Sequence, residues 1–336
     1  MKTVFVGLSG GVDSATSAYL LKKEGYRVVG AFIKGWEPDF LPCTGKEDRL
    51  EAMRVAAHLG TPFVTYDLSA EYKKEVVDYF VEEYKAGRTP NPDVVCNRAI
   101  KFGAFWDKAK ADGADFIATG HYAQNINGSL QVSRDFDKDQ TYFLWTLTKH
   151  DLAHSLFPVG NLTKTEVRAA ATKASLPNAA RRDSQGLCFL GHVDMQAFLK
   201  RYIPEKPGDI VDESGMKIGE HPGVWFYTLG QHISGGGADA RRYVIEKKIP
   251  ENILIASVTP LGEHPLSSFP LRNVNWVSGS PPEGKICARF RYRQPLLSAE
   301  FKNGRVTFDK PERIAEGQSC VFYTENGVVL GGGIIG

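Results

Sequence analysis

The residues best suited to chemistry near the start of the chain form one segment, Gly7-Leu8-Ser9-Gly10-Gly11-Val12-Asp13-Ser14. Glycines permit the backbone angles at which successive N–H groups converge on an anion, and the two serines add hydroxyl donors. A β-rich run precedes the segment and a helical pattern follows it, so a helix N-terminus would add partial positive charge. The segment has neither the lysine of a Walker A loop nor the spacing of a dinucleotide-binding fingerprint. It predicts a phosphate-binding loop of another type.

Five cysteines are a second source of chemistry. Their odd number, with no C-x-x-C pair, argues against a disulfide framework and against a structural zinc site. Cys96 and Cys188 lie in polar segments expected to be loops with charged neighbours, the setting in which a thiol becomes a reactive thiolate. Cys43 is loop-like but has no charged neighbour close by, so it ranks below that pair. Cys287 and Cys320 are flanked by apolar β-rich residues and are expected to be small hydrophobic side chains.

Asp93 lies three residues before Cys96 and is a candidate general acid or base. The same residue beside Pro92 also fits an Asx turn, in which the carboxylate only shapes the backbone. The residue pattern leaves both readings open.

These residues require a scaffold, and the first two hundred residues alternate strand and helix patterns, as expected for an α/β fold with a doubly wound parallel sheet. The predicted strands are 2–8, 27–33, 62–68 and 116–119, and a hairpin spans 124–134 with its turn at Asn127-Gly128. The predicted helices follow the phosphate loop to residue 23 and cover 47–59, 70–86, 99–111, 163–174 and 193–202. Residues 88–97 are expected to be a loop between two helices.

Beyond residue 204 glycine and proline become frequent and short β-rich runs replace the amphipathic helices. We predict three domains, at 1–199, 200–269 and 270–336. The second is expected to be a small mixed or β domain, and the third a β-rich domain.

The composition, with 42% hydrophobic and 24% charged residues, is that of a globular protein. No apolar run reaches the roughly 18 residues of a membrane helix, and the first residues do not resemble a signal peptide, so the expected compartment is the cytoplasm. A net charge of +2 excludes a protein that coats nucleic acid by bulk attraction. Any polyanion must be met by local patches.

One candidate patch is Arg289-Phe290-Arg291-Tyr292-Arg293. In a strand this alternation would place the three arginines on one face, towards phosphate, and the two rings on the other. Arg291 and Tyr292 are candidate RNA-contacting residues. A solvated basic edge that discourages aggregation is the alternative.

The S-G-G-x-D-S core of the first segment resembles the PP-loop of the ATP pyrophosphatases, a superfamily that includes synthetases of several kinds. Further blocks are G-R-T-P-N-P-D-V-V-C-N, A-T-G-H-Y-A at 118–123, K-D-Q-T-Y-F-L at 138–144, D-S-Q-G-L-C-F-L-G at 183–191 and E-G-Q-S-C-V-F-Y near the end. In this order they resemble the bacterial and mitochondrial tRNA-specific 2-thiouridylases. The resemblance implies a PP-loop domain of the adenine nucleotide alpha hydrolase-like type, a small central domain and a C-terminal β-barrel that contacts tRNA.

The resemblance also implies an activity. ATP would adenylate the C2 oxygen of the wobble uridine in the tRNAs for lysine, glutamate and glutamine, with Mg²⁺ expected but no ligand predicted. By resemblance Cys188 carries a persulfide, Cys96 resolves it and leaves a Cys96–Cys188 disulfide, and a cysteine desulfurase or relay protein supplies the sulfur. Partners are thus the tRNA anticodon stem-loop and that donor, with no DNA and no membrane.

Binding roles follow from the same matches. Ile33 and Gly120 would contact ATP together with the phosphate loop. The segment Asn91, Pro92 and Asp93 would hold the target base, and His121, the segment Lys138, Asp139 and Gln140, and Gln318 would contact tRNA.

Two segments depart from the family pattern, at residues 34–43 and at Gln185, and the glycine-rich residues 234–242 have no assigned role. Three other functions remain open at this point. A PP-loop synthetase that forms lysidine or acts on a small molecule would need no cysteine. A non-catalytic tRNA-binding module would release no pyrophosphate, and a sulfur carrier would not need ATP.

Overall fold

Near-continuous apolar runs form the strands of the N-terminal sheet, because helices cover both of its faces. The computed structural model describes residues 1–40, 45–182, 194–233, 241–259, 266–282, 284–312 and 315–336. Its first seven strands are β1 (Thr3–Gly7), β2 (Arg27–Lys34), β3 (Phe63–Asp67), β4 (Phe116–Ala118), β5 (Gln124–Ile126), β6 (Ser129–Gln131) and β7 (Ser155–Leu156).

The strand order of this sheet fixes where a ligand would bind. Five strands pair in parallel in the order β3-β2-β1-β4-β7, which confirms the predicted doubly wound sheet. The chain leaves β1 towards β2 on one side and later returns to β4 on the other. Open α/β sheets bind ligands at the carboxyl ends of the strands where the order reverses. The gap between the ends of β1 and β4 is therefore the expected site.

Two of the helices contain wide π-helical turns. The helices are α1 (Val12–Lys23), α2 (Gly45–Leu59), α3 (Ser69–Tyr72, π-helical Lys73–Asp78, Tyr79–Lys85), α4 (Pro92–Val95, π-helical Cys96–Ala104, Phe105–Ala111), α5 (Lys149–Ala153), α6 (Lys164–Lys173) and α7 (Met195–Leu199). Within the part of the chain that the structure describes, none is both long and apolar enough to cross a membrane. π-helical turns inside longer helices occur frequently at functional sites.

The expected loop at 88–97 is wrong in its second half. Helix α4 begins at Pro92, and Cys96 lies inside it with 0% of its surface exposed. The reason is local, because proline at the first helical position has a backbone angle already suited to a helix, and Asp93 in the first turn suits the helix dipole.

The second half of the chain is β-rich, as predicted. Strands β8 (Gly208–Val211), β9 (Lys217–His221), β10 (His232–Ile233), β11 (Arg242–Lys248) and β12 (Ile253–Ser257) form one sheet, in the order β10-β11-β12-β8-β9. Strands β13 (Leu266–Asn275), β14 (Lys285–Arg289), β15 (Leu297–Lys302), β16 (Arg305–Glu312), β17 (Ser319–Tyr323) and β18 (Val329–Ile335) form a closed barrel. Closure leaves the barrel no unpaired edge.

The predicted strand through Arg293 is also wrong. Strand β14 ends at Arg289, and the side-chain oxygen of Gln294 then accepts hydrogen bonds from the N–H groups of Phe290 and Arg291. Arg293 adopts a left-handed φ of 62°. The backbone therefore turns, and the three arginines do not share one face.

Buried polar contacts join the barrel to the N-terminal region. The Tyr142 hydroxyl donates to the carbonyl oxygens of Phe290 and Ser319 at 3.0 Å each, and Trp145 Nε1 donates to Ser319 Oγ at 3.0 Å. Arg289 is buried and forms an ion pair with Asp139. The segment around residues 139–145 thus connects the parallel sheet to the barrel.

Candidate active site

The predicted phosphate loop follows β1 and leads into α1. Gly10 adopts a φ of +79°, which glycine reaches without steric cost. Ser14 Oγ donates to the Gly11 carbonyl oxygen at 3.1 Å and accepts from Ser9 N at 3.2 Å, so the loop closes on itself. Leu8 N continues the sheet by donating to Ala31 O at 2.7 Å. The first-turn N–H groups of α1, including that of Val12, have no acceptor within the helix and suit an anion.

Two residues from the end of the N-terminal region hold this loop from outside. Asn178 Nδ2 and Arg181 Nη1 donate to the Gly10 carbonyl oxygen at 2.8 and 3.1 Å. Arg181 also forms an ion pair with Asp48 of α2. A Cβ atom on Gly10 would lie 2.6 Å from Arg181 Nη1 and 2.8 Å from the Asp48 carbonyl oxygen, so a larger residue at position 10 would have to displace them. A positive charge therefore lies against the loop.

A second cation lies beside Asp13. Lys164 Nζ donates to both carboxylate oxygens of Asp13, at 2.7 and 2.8 Å, and its side chain is only 14% exposed. The Tyr122 hydroxyl donates to Asp13 Oδ1 at 2.9 Å. Asp13 thus holds Lys164 at the first turn of α1, where its ammonium group could neutralise the negative charge of bound phosphates.

Gly120 lies two residues after the end of β4 and packs on the start of α1. A Cβ atom at this position would lie 2.7 Å from Ser14 N and 2.9 Å from the carbonyl carbon of Asp13. Glycine therefore lets the end of β4 approach the phosphate loop. This is the gap that the strand order marks as the ligand site. Ile33, near the end of β2, is buried, and its Cδ1 atom would lie 4.0 Å from a Cβ on Gly7.

His121 is buried between Thr119 and Lys101. Its Nδ1 atom lies 2.7 Å from Thr119 Oγ1, and its Nε2 atom lies 3.4 Å from Lys101 Nζ. Burial, and then the charge of Lys101, lowers the pKa of His121 well below its usual value. A lysine ammonium only donates, so Nε2 accepts and the proton of the neutral ring is on Nδ1. His121 here orients Lys101, and its expected contact with tRNA stays a prediction.

Helix α4 carries the candidates for acid–base and thiol chemistry. Asn91 is the residue before the helix, with Pro92 and Asp93 in its first turn. Cys96 follows one turn later and belongs to a core cluster that includes Tyr72 and Phe80. The sequence predicted a polar setting for Cys96, and the structure corrects that to an apolar one. Chemistry at its thiol requires the site to open or a substrate to displace its neighbours.

The expected tRNA segment 138–140 is used largely for internal contacts. Gln140 Oε1 accepts from Tyr122 N at 2.9 Å, and Gln140 N donates to Tyr122 O at 2.8 Å. Asp139 is buried, accepts from Ser133 N at 3.0 Å and pairs with Arg289. Lys138 is partly exposed. The carboxylate of Asp139 therefore holds the segment in place, and the expected contact of this segment with tRNA stays a prediction.

The barrel residues predicted to contact tRNA lie near the same place. Arg291 is exposed, and the half-buried Tyr292 ring packs on Phe143 with 4.7 Å between ring centroids. Asn97 of α4 donates to the Phe143 carbonyl oxygen at 3.0 Å. The helix of Cys96, the 138–143 segment and the turn of Arg291 thus converge. Gln318 reaches the loop before α4, where its Nε2 atom donates to Thr89 O at 2.7 Å.

Some predicted positions lie outside the described residues. These are Cys188 with its block at 183–191, Cys43, Gln185 and most of the glycine-rich segment 234–242. Cys320 and Cys287 agree with the prediction of hydrophobic residues, because burial raises the pKa of both thiols.

Several site residues were missed by the sequence analysis, namely Tyr122, Lys164, Asn178, Arg181 and Lys101. Their partners lie far away in sequence, for example 151 residues between Lys164 and Asp13. Local spacing therefore gave no sign of them. Asn178 and Arg181 do lie next to the basic residues before the Cys188 block, and that position was the one available hint.

A protein-held metal ion would need several ligating side chains grouped together among the described residues. Among them, no three or more histidine, cysteine, aspartate or glutamate side chains are grouped so that they could hold one. The carboxylate nearest the phosphate loop, Asp13, is engaged by Lys164 and Tyr122. This part of the chain does not fit a metal held mainly by protein ligands.

Family models match nearly the whole chain. They are described as a tRNA methyl transferase HUP domain at residues 2–192, a tRNA methyl transferase PRC-barrel domain at 196–258 and an aminomethyltransferase beta-barrel domain at 267–335.

Curated relatives are similar over their full length. A tRNA-specific 2-thiouridylase of Francisella tularensis subsp. holarctica is 43% identical over 358 aligned positions, which cover 99% of each chain. One from Nitrosomonas eutropha is 43% identical over 355 positions, covering 99% of this chain and 98% of the relative. Among solved structures, a U34-tRNA thiolase from Methanococcus maripaludis is 17% identical over 60% of this chain and 68% of its own, with a TM-score of 0.39, which is too low to support an argument.

Proposed function

Because the chain belongs to the family of tRNA-specific 2-thiouridylases, we propose that it activates the C2 oxygen of a tRNA wobble uridine with ATP and then replaces that oxygen with sulfur. The observation that carries this proposal is that the residues after β4 contact both the phosphate loop and the helix of Cys96. Gly120 packs on the phosphate loop, and the next residue, His121, meets Lys101 on the helix of Cys96. A nucleotide at the loop and a base at the helix would therefore be neighbours.

The phosphate loop would bind ATP through backbone N–H groups, serine hydroxyls and the cations Lys164 and Arg181. ATP supplies an adenylyl group, which turns a poor leaving oxygen into a good one. The chain's own task is to hold the phosphates and to neutralise the charge that develops on pyrophosphate. Mg²⁺ fits this scheme when it is bound mainly by phosphate oxygens and water, as is usual for this ion with nucleotides.

The wobble base would have to leave the anticodon stack to reach the loop, as it does in other enzymes that act on bases. Asn91, Pro92 and Asp93 are proposed to hold it at the start of α4. The carboxylate of Asp93 is proposed to exchange a proton with the base during adenylation or sulfur transfer.

The sulfur step balances with two thiols. The terminal sulfur of a Cys188 persulfide attacks C2 and AMP leaves, which joins Cys188 to the base through two sulfur atoms. The Cys96 thiolate then attacks the Sγ atom of Cys188, so the outer sulfur stays on the base with the electron pair of the broken S–S bond. A Cys96–Cys188 disulfide remains, and a dithiol reductant reopens it. A cysteine desulfurase or relay protein is proposed to restore the persulfide.

The family models are described by methyl transfer, whereas the curated relatives are named for thiolation. The geometry favours thiolation, since methyl transfer needs neither a loop shaped for phosphates nor a cysteine. Synthetases that form lysidine are disfavoured because they too need no cysteine. The 43% identity to a tRNA-specific 2-thiouridylase over the whole chain also argues against them.

The test is to incubate the protein with unmodified glutamate tRNA, ATP, Mg²⁺ and a desulfurase-based sulfur source. We expect 2-thiouridine by mass spectrometry and stoichiometric pyrophosphate. Cys96→Ala and Cys188→Ala should each abolish thiouridine, while Cys320→Ala, at a buried cysteine of the barrel core, serves as the matched control. Release of pyrophosphate without thiouridine in the wild type would refute the assigned reaction.

A further inference from the structure

The short segment between α3 and α4, residues 86–90, touches all three parts of the chain, and we call it the junction segment. It leads directly into Asn91, Pro92 and Asp93. Whatever holds the junction segment therefore also places the proposed base-binding residues.

The barrel holds the junction segment at Thr89. Thr89 N donates to the Glu316 carbonyl oxygen at 3.1 Å, and Gln318 Nε2 donates to Thr89 O at 2.7 Å. Both backbone polar groups of Thr89 are thus bound by the barrel. A Cβ atom on Gly317 would lie 2.8 Å from Thr89 O and 2.9 Å from Thr89 N, so the close approach requires glycine.

Ion pairs hold Arg88, the residue before Thr89. Arg88 donates two hydrogen bonds to the carboxylate of Glu83 at the end of α3, at 2.7 and 2.5 Å. Arg272, from barrel strand β13, donates to Glu83 Oε2 at 3.2 Å. Burial alone would raise the pKa of Glu83, but the two arginines outweigh it and lower the pKa. Glu83 therefore stays charged and links α3 to the barrel.

The central sheet contributes the third contact. Gly87 adopts a φ of +77°, and a Cβ atom there would lie 2.3 Å from Cδ1 of Ile249, which follows strand β11. The side chain of Ile249 occupies the space that a side chain at residue 87 would fill.

A displacement of Thr89 should also displace the start of α4, because the backbone between them is stiff. Pro90 and Pro92 have fixed φ angles, and each also restricts the residue before it. Thr89 and Asn91 are those residues. The chain from Thr89 to the start of α4 is accordingly stiff, so a displacement at one end displaces the other.

We propose that Gly317 and Gln318 are positioning residues for the chemical step, because they hold Thr89 and thereby set the place of Asn91, Asp93 and Cys96. The barrel then has a role in turnover as well as in holding tRNA. This inference rests on the proposed thiolation activity.

The test is Gly317→Ala, which brings a methyl group against the backbone of Thr89. Its matched control is Gly304→Ala in the same barrel. Gly304 also has a positive φ, of +75°, but among the described residues, its chain neighbours aside, no atom lies within 4 Å of its Cβ position. An error of about 1 Å at a reacting group costs roughly a hundredfold in rate. We expect kcat for thiolation to fall at least tenfold in Gly317→Ala, with KM for tRNA and for ATP changed less than threefold, and the control to match the wild type.

Gln318→Met is the second variant, because it keeps the length of the side chain and removes the donor to Thr89. It tests the same contact if Gly317→Ala does not fold. Thermal unfolding of each variant reports on folding separately, and Gln318→Met should lower kcat while leaving KM for tRNA within threefold. A rise in KM for tRNA at unchanged kcat would overturn the proposal and assign Gln318 to tRNA contact alone.

Unchanged kinetics in both variants would overturn it too. Loss of the proposed function is a distinct outcome, because in that case the wild type itself would make no 2-thiouridine.

Discussion

Substitution of Arg289 should destabilise the interface between the barrel and the N-terminal region. The Arg289 and Asp139 side chains are 7% and 1% exposed, and they form an ion pair. Arg289 also donates to the Tyr323 hydroxyl at 2.9 Å and to Thr141 Oγ1 at 3.0 Å. Arg289→Met would leave the Asp139 carboxylate buried without a cation. The cost of such a change is about 3–5 kcal/mol in the free energy of unfolding.

The measurement is urea unfolding followed by fluorescence, since Trp145 at the interface and Trp276 in the barrel wall report on this region. Arg134→Met is the matched control, because Arg134 pairs with Glu166 at an exposed site, with side chains 52% and 42% exposed. Exposed pairs contribute about 0–1 kcal/mol, so this variant should unfold almost like the wild type.

The double variant Asp139→Asn with Arg289→Met should recover much of the lost stability, because it removes both charges. A loss of less than about 1 kcal/mol in Arg289→Met, or a double variant no more stable than the single one, would refute the reasoning.

Three further outcomes follow from the site and the central sheet. Gly120→Ala should raise KM for ATP at least tenfold, because its methyl group would meet Ser14 N. Gly219→Ala is the control and should leave KM unchanged, since the nearest neighbour of its methyl group would be 3.7 Å away. Equal KM values for the two variants would contradict the packing argument. Lys164→Met should weaken ATP binding measured by calorimetry, and binding as tight as in the wild type would remove Lys164 from the phosphate site. Burial lowers the pKa of Lys247 to about 8, so between pH 8 and 10 this residue holds more protons in the unfolded chain than in the folded one. Lys247 should therefore contribute a rise in stability of about 1–2 kcal/mol over that pH range. The check is thermal unfolding at both pH values, in which the wild type should gain that amount of stability relative to Lys247→Met.

Local patterns predicted the features that depend on local physics. The glycine turn between β1 and α1, the parallel strands and the Asn127-Gly128 turn follow from glycine content, apolar runs and turn residues, and the structure confirms them. Phosphate binding at the glycine turn stays a prediction. The fold class followed from the same patterns together with the family resemblance.

The misses have two causes, which are local capping that the hydrophobic pattern did not register and long-range contact. The prediction of a strand through Arg293 was wrong because the Gln294 side chain accepts a hydrogen bond from the backbone N–H of Phe290. In addition, Arg289 is paired with Asp139, which lies 150 residues away in the sequence. Cys96 was expected in a polar loop, but the helix that Pro92 begins packs it against α3. The cations of the phosphate site escaped notice because each meets its partner across more than a hundred residues.

The closed barrel has a consequence for the order in which a newly made chain becomes competent. Strand β18 pairs with β13 to close the barrel, and the backbone N–H and C=O groups of Thr89 are bound by residues 316 and 318 near that closure. The ribosome makes about 5–20 residues each second and N-terminal domains fold first, so the nucleotide-binding domain exists on the order of ten seconds before the barrel does. During that interval a nascent chain can form the turn between β1 and α1 while the junction segment, which leads to the proposed base-binding residues, still lacks its support. Unfinished or prematurely terminated chains would therefore be poor at modifying tRNA even when they can take up nucleotide.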